Sequence, residues 1–138
     1  MSEELVCRAP AKTNLVLEVT ARRKDGYHEI DTILQELELA DEVRVTVGGG
    51  SGVSVEGAFA AGVPLDETNL ALKAAMMLAE RCGRSFANVA IHLVKRIPAA
   101  GGLGGGASDA AAVLTLLQSP WGASDADLLD VAHNVCLL

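Results

Sequence analysis

Residues 97–109 read Ile97-Pro98-Ala99-Ala100-Gly101-Gly102-Leu103-Gly104-Gly105-Gly106-Ala107-Ser108-Asp109, with five glycines in the six positions 101–106. Such a run, set between an alternating apolar stretch and an alanine-rich one, is suited to holding nucleotide phosphates. Glycine takes positive φ without a steric cost, so several N–H groups can converge on one anion. A helix opening directly after the loop adds unpaired first-turn donors and the positive end of its dipole. Ser108 contributes a hydroxyl fit for a Mg²⁺ ion or a phosphate oxygen. A turn followed by an ordinary Ser/Asp cap would need fewer glycines than this.

Two phosphate fingerprints nearly fit, and their failures are informative. Gly101, Gly106 and Ser108 match GxxxxGK followed by Ser or Thr, except that Ala107 stands where the lysine belongs, so the main side-chain charge of a P-loop is missing. Gly102, Gly104 and Ala107 satisfy the loose GxGxxA dinucleotide pattern, which further requires a second strand ending in an acidic residue about 20 positions on. Pro120-Trp121-Gly122 and a helical pattern occupy that region instead, against a dinucleotide-binding oxidoreductase. The other glycine cluster, Gly48-Gly49-Gly50-Ser51-Gly52, has no helix after it and reads as a hairpin loop.

Several elements must position the loop. Residues 5–9 and 15–20 read as short strands separated by Pro10-Ala11-Lys12-Thr13-Asn14, and 22–27 as a turn around Asp25-Gly26. Residues 29–39 fit both a helical and an alternating period; the extended reading is favoured, running on into a strand over 43–47 and then 53–55. Asp66-Glu67-Thr68-Asn69 caps an amphipathic helix through Leu70, Ala74, Met77 and Leu78 that stops at Gly83. Residues 89–94 alternate as a strand. After the loop a helix is expected from about Ala107 to Leu117, broken by Ser119-Pro120-Trp121-Gly122, and Ser124-Asp125-Ala126-Asp127 caps a last helix.

The bulk properties narrow the function classes. The chain of 138 residues is half apolar with 3% aromatics, so one core of Ala, Val, Leu and Ile is expected. A net charge of −7 argues against nucleic acid as partner; an anion must be bound locally, by backbone N–H groups and one or two lysines. Cys7, Cys82 and Cys136 form no metal or disulfide pattern and read as buried thiols. The acidic Met1-Ser2-Glu3-Glu4 start and the short apolar run 110–117 suggest neither a leader nor a membrane span, which takes about 20 apolar residues. A cytoplasmic protein is expected.

Together, three blocks resemble the GHMP small-molecule kinases, and within them the group acting on diphosphocytidyl methylerythritol. Ala9-Pro10-Ala11-Lys12-Thr13-Asn14-Leu15 is similar to that family's PAKxNL motif. Arg23-Lys24-Asp25-Gly26-Tyr27-His28 is similar to its RxDGYH block. Lys95 and residues 97–111 are similar to its KxIPxxxGLGGGSSDAA loop, with Ala107 in place of the first serine. The resemblance, running from about Val6 to Val135, implies an α+β, ribosomal-protein-S5 domain 2-like fold: the family's N-terminal, nucleotide-binding domain. It implies ATP and Mg²⁺, with Gly101, Gly102, Leu103, Gly104, Gly105, Gly106, Ala107 and Ser108 around the phosphates and Asn69 and Lys95 near the nucleotide. Asn69 also reads simply as a helix cap. Lys12 takes the catalytic position, steadying the acceptor hydroxyl and the phosphoryl group, while Asn14, Tyr27 and His28 hold the substrate, the last two at its cytosine end.

In the family a Gly-Ala-Asp-Val-Pro segment follows the last of these helices and carries the carboxylate that phosphoryl transfer needs near the attacking hydroxyl. Here Cys136 stands at its first glycine. The resemblance therefore leads one to expect residues 1–138 to be the N-terminal domain without the C-terminal one, binding ATP without appreciable transfer. A non-catalytic nucleotide-binding domain is the alternative. Apolar positions on the helix over 128–135, meant for the second domain, are expected to be exposed and to favour self-association.

Overall fold

The computed structural model describes residues 2–22, 28–98 and 103–135, with side chains described outside 13–34. Four strands, β1 (Glu3–Arg22), β2 (His28–Val47), β3 (Gly52–Glu56) and β4 (Val89–Val94), form one sheet in the order β1-β2-β4-β3. Three helices, α1 (Leu70–Cys82), α2 (Gly105–Trp121) and α3 (Asp125–Asn134), join them, with a short 3₁₀ turn at Phe86–Asn88. Val43 and Val45 of β2 and Val89, Ile91 and Leu93 of β4 are buried in one cluster with Leu78, Val113, Leu117 and Val131 of the helices. The alternate positions Arg44, Thr46, Ala90 and His92 are only half-buried. A sheet apolar on one face and covered there by helices is an α+β two-layer arrangement.

The N-terminal segment differs from its reading as two strands broken at Pro10. β1 runs straight through Pro10, antiparallel to β2, with ladder irregularities between Pro10 and Lys12, Asn14 and Val16, and Val19 and Ala21. Proline lacks an N–H, and an edge strand is the place in a sheet where that loss is tolerated. The ambiguous segment 29–39 is extended, as part of β2. The turn read over 22–27 lies, beyond Arg22, outside the described residues.

The 48–52 glycine cluster is not a hairpin loop. β3 pairs with β4 in parallel, and β4 lies between it and β2, to which β4 is antiparallel. The segment carries the chain past the place β4 later fills, with Gly48, Gly50 and Gly52 all at positive φ. Parallel β3 and β4 need a crossover, and α1 supplies it.

The helix signals held better. Asn69 caps α1, its side chain accepting from the Ala71 and Leu72 amides, and Gly83 closes the helix at φ 64°. Ser124 and Asp127 form a reciprocal capping box on α3. α2 starts two residues earlier than expected and passes through Pro120 to Trp121. In this last turn the proline forfeits one hydrogen bond, while Gly122 at φ 62° and Ala123 satisfy the Gln118 and Ser119 carbonyls. Cys7 and Cys82 are half-buried rather than buried. Val131 on α3 and Val135 at its C-cap lie in the core and Leu129 is exposed, so the expected apolar outer face reduces to that leucine and the half-buried Leu128 and Ala132. No helix among the described residues is long and apolar enough to cross a membrane.

Candidate functional site

The glycine loop is docked on the free edge of the sheet. Because β1 is an outer strand, the N–H groups on its far side have no ladder partner, and the Lys12 amide donates to the Leu103 carbonyl at 2.9 Å. The next residue, Gly104, is the N-cap of α2 at φ 68° and ψ 27°, with no side chain capping the first turn. A Cβ at Gly104 would stand 2.8 Å from Lys12 Cε. The lysine stem therefore lies across the glycine at the opening of the helix. The positive φ is what favours glycine there, and the flexible lysine stem occupies the space a side chain would take.

Beneath the loop lies an ion cluster that the sequence reading did not find. Lys95 Nζ donates to Asp41 Oδ2 and to Asp109 Oδ2, both at 2.6 Å, with all three side chains buried. Asp41 Oδ1 accepts from the Arg96 amide at 2.6 Å and the Ile97 amide at 2.9 Å. Burial alone would lift the Asp41 carboxyl, but hydrogen bonds from Asp109, Lys95 and these two amides hold it below its ordinary value. Burial likewise opposes the charge on Lys95, and its hydrogen bonds to the two carboxylates overcome that and raise it. Asp109 is pushed up to about 8, chiefly by burial and then by its hydrogen bond with Asp41. Its Oδ1 is buried without a partner. A Cβ at Gly105 would come within 3.0 Å of Ile97 Cγ2 and 3.5 Å of Lys95 Nζ, so this glycine lets the helix sit down on the cluster.

The first turn of α2 borders two cavities. One, of about 670 Å³, is lined by Lys12, Gly104, Ala107 and Ser108 together with Arg8 and Glu36. The other, of about 410 Å³, is lined by Gly105, Gly106 and Asp109 with Thr68, Asn69 and Lys95. The structure thus brings Lys12, Leu103, Gly104, Gly105, Gly106, Ala107 and Ser108 together. Asn69 and Lys95 border the second cavity, but their polar groups are already engaged. The Asn69 side chain caps α1 and donates to the Pro64 carbonyl. The Lys95 ammonium is held by two carboxylates rather than left free for a nucleotide. Asn14 lies on β1 opposite Leu34, and His28 begins β2 opposite Arg22. Tyr27, Gly101 and Gly102 lie outside the described residues. Asp109 carried a signal, as a single acid ahead of an alanine-rich apolar run, where an ionised side chain needs a buried partner; Asp41, between Glu38 and Glu42 in a charged stretch, carried none.

A four-stranded sheet covered by three helices, with a glycine-capped helix opening against an edge-strand lysine, agrees with the comparisons to known proteins. The family described as GHMP kinases N terminal domain matches residues 69–136. Residues 69–136 belong to the GHMP kinase N-terminal domain family. Relatives named 4-diphosphocytidyl-2-C-methyl-D-erythritol kinase include one from Kineococcus radiotolerans, 50% identical over 120 residues, covering 85% of this chain and 37% of that protein. Another, from Brucella melitensis, is 45% identical over 113 residues, covering 82% and 38%. A crystal structure of 4-(cytidine 5'-diphospho)-2C-methyl-D-erythritol kinase superposes with a TM-score of 0.76 at 42% identity, over 95% of this chain and 46% of that one. Homoserine kinase from Cytophaga hutchinsonii, at 22% identity and a TM-score of 0.68, shares the fold over 97% of this chain and 40% of its own. The chain therefore spans less than half the length of these relatives.

Proposed function

We propose that the chain is the nucleotide-binding domain of an ATP-dependent kinase that phosphorylates a hydroxyl of 4-diphosphocytidyl-2-C-methyl-D-erythritol, in non-mevalonate isoprenoid precursor synthesis in the cytoplasm. The observation that carries this reading is the docking of Leu103 and Gly104 on Lys12, which sets an uncapped helix N-terminus beside a lysine. The 45–50% identity to relatives named for that substrate narrows it.

The residues present suit the groups this reading requires. Gly104 offers no capping side chain, so the first-turn amides of Gly105, Gly106 and Ala107 are free for phosphate oxygens, with Leu103 and the glycines at 101 and 102 completing the loop. The nucleotide is assigned to the 410 Å³ cavity beside Asn69 and Lys95, and the acceptor to the 670 Å³ cavity beside Lys12. Asn14, Tyr27 and His28 are assigned to the substrate, the latter two to its cytosine. Ser108 is the side chain assigned to Mg²⁺, which when bound neutralises charge developing on the phosphates. Lys12 holds the acceptor hydroxyl toward the phosphoryl group, and the amides take up charge in the transition state. The orienting carboxylate and the surface that closes over the acceptor are assigned to the further length present in the relatives. Calorimetric titration of MgATP into the chain tests the reading: saturable binding, weakened by Gly104→Val, is expected. No binding, or binding indifferent to that change, overturns it.

A further inference from the structure

Lys95, Asp41 and Asp109 sit too deep to be ligands as they stand, and their geometry suggests another use. The glycine loop enters at Arg96–Ile97 and leaves in α2. At the entrance, Asp41 Oδ1 accepts both the Arg96 and Ile97 amides. At the exit, Asp109 holds the same lysine that Asp41 Oδ2 holds. A single ammonium on β4's end therefore ties both ends of the loop to one residue of β2. We propose that Asp41, Lys95 and Asp109 form a buried brace that sets the spacing of the loop's two ends for phosphate binding, with all three acting as positioning residues. The inference rests on the loop being the ATP phosphate site.

The physical case begins with the loop's composition. Glycines lose more conformational freedom on ordering than any other residue, so a glycine loop preformed for an anion needs a frame to hold it. The described frame has an apex contact, Lys12 N–H to Leu103 O, and the brace at its base. A buried ion cluster is a poor source of stability, because desolvation opposes its attraction. Its value lies in directional hydrogen bonds, four of which converge here on two carboxylates. Lys95 does not serve as a phosphate ligand in this arrangement. Reaching an anion would strip buried Asp41 and Asp109 of the ammonium they share.

The test compares Asp109→Ala with Asp109→Asn. The amide of asparagine can accept from Lys95 and donate to Asp41, so it preserves the brace; alanine removes it. In calorimetry, Asp109→Ala is expected to weaken MgATP binding about tenfold, and Asp109→Asn to restore it to within about threefold of the parent. Unchanged amide signals in α1 and α3 establish that each variant is folded. A folded Asp109→Ala chain binding ATP as the parent does, or an Asp109→Asn chain as impaired as the alanine one, overturns the brace alone. A parent chain that binds no ATP overturns the phosphate-site reading and the brace's role with it. Should the alanine variant not fold, nitrogen-15 NMR of the Lys95 ammonium in the parent decides. Slowly exchanging protons are expected of a brace, and rapid exchange with water refutes it.

Discussion

Replacing Gly104 by alanine separates what the loop does for folding from what it does for binding. Gly104 and Gly83 sit at nearly the same backbone conformation, φ 68° and ψ 27° against φ 64° and ψ 32°. An L-residue there costs about 1–2 kcal/mol, so both alanine variants should lose comparable stability. Their surroundings differ. A Cβ at Gly83 meets nothing within 4 Å, whereas one at Gly104 meets Lys12 Cε at 2.8 Å and Cγ at 3.3 Å. The lysine end can swing away cheaply, so the clash adds little to the folding cost, but the ammonium leaves its place beside the uncapped turn. Losing one charge-assisted contact to phosphate amounts to about 1.5–3 kcal/mol, or roughly ten- to hundredfold in affinity. Urea denaturation should therefore rank Gly83→Ala and Gly104→Ala as equals, while MgATP calorimetry should separate them by at least about tenfold. Equal ATP affinities in the two variants would refute the placement of Lys12 over the phosphate loop.

Other consequences follow from the same geometry. Asp109 has a folded pKa raised from 3.8 to about 8, so its proton stabilises the folded chain fully below the unfolded value, and that contribution is lost as pH rises through the folded one. The stability of the parent relative to Asp109→Asn should fall between these limits and level off above them; a difference flat across the range would show that Asp109 is ionised throughout. Gly49→Val, in the other glycine cluster, should leave ATP affinity unchanged by calorimetry, although its Cβ would press on Ser2 and Thr46 at 3.0 and 3.1 Å. CMP should perturb the NMR signals of Tyr27 and His28 while ATP shifts those of residues 102–108; CMP shifts confined to the glycine loop would remove the separate cytidine site. Leu129→Lys should reduce any concentration-dependent association seen by sedimentation, and an unchanged profile would place the contact elsewhere.

Local chemistry wrote much of this structure legibly into the chain. Asn69 and Gly83 bound α1, Ser124 with Asp127 opens α3, and the glycine run precedes a helix, because caps and positive-φ glycines act within a few residues of themselves. The extended reading of residues 29–39 agrees with β2 because the alternation of Leu37, Leu39, Val43 and Val45 has the period of a strand, although only Val43 and Val45 of these are buried and Leu39 is exposed. What failed was everything that depends on which strand lies beside which. The sequence cannot show that Pro10 sits on an edge, where its missing N–H is harmless, or that β4 enters between β2 and β3 and separates two strands expected to pair as a hairpin. The same holds at the site. Lys12 and the loop are separated by some 90 residues of chain and meet only because the Lys12 amide, on an edge strand, has no ladder carbonyl to donate to and donates to Leu103 instead. The family resemblance sets Lys95 near the nucleotide. Tertiary structure alone brings Asp41 from β2 and Asp109 from α2 to within 2.6 Å of Lys95 Nζ, and an ammonium buried with these two partners must stay with them.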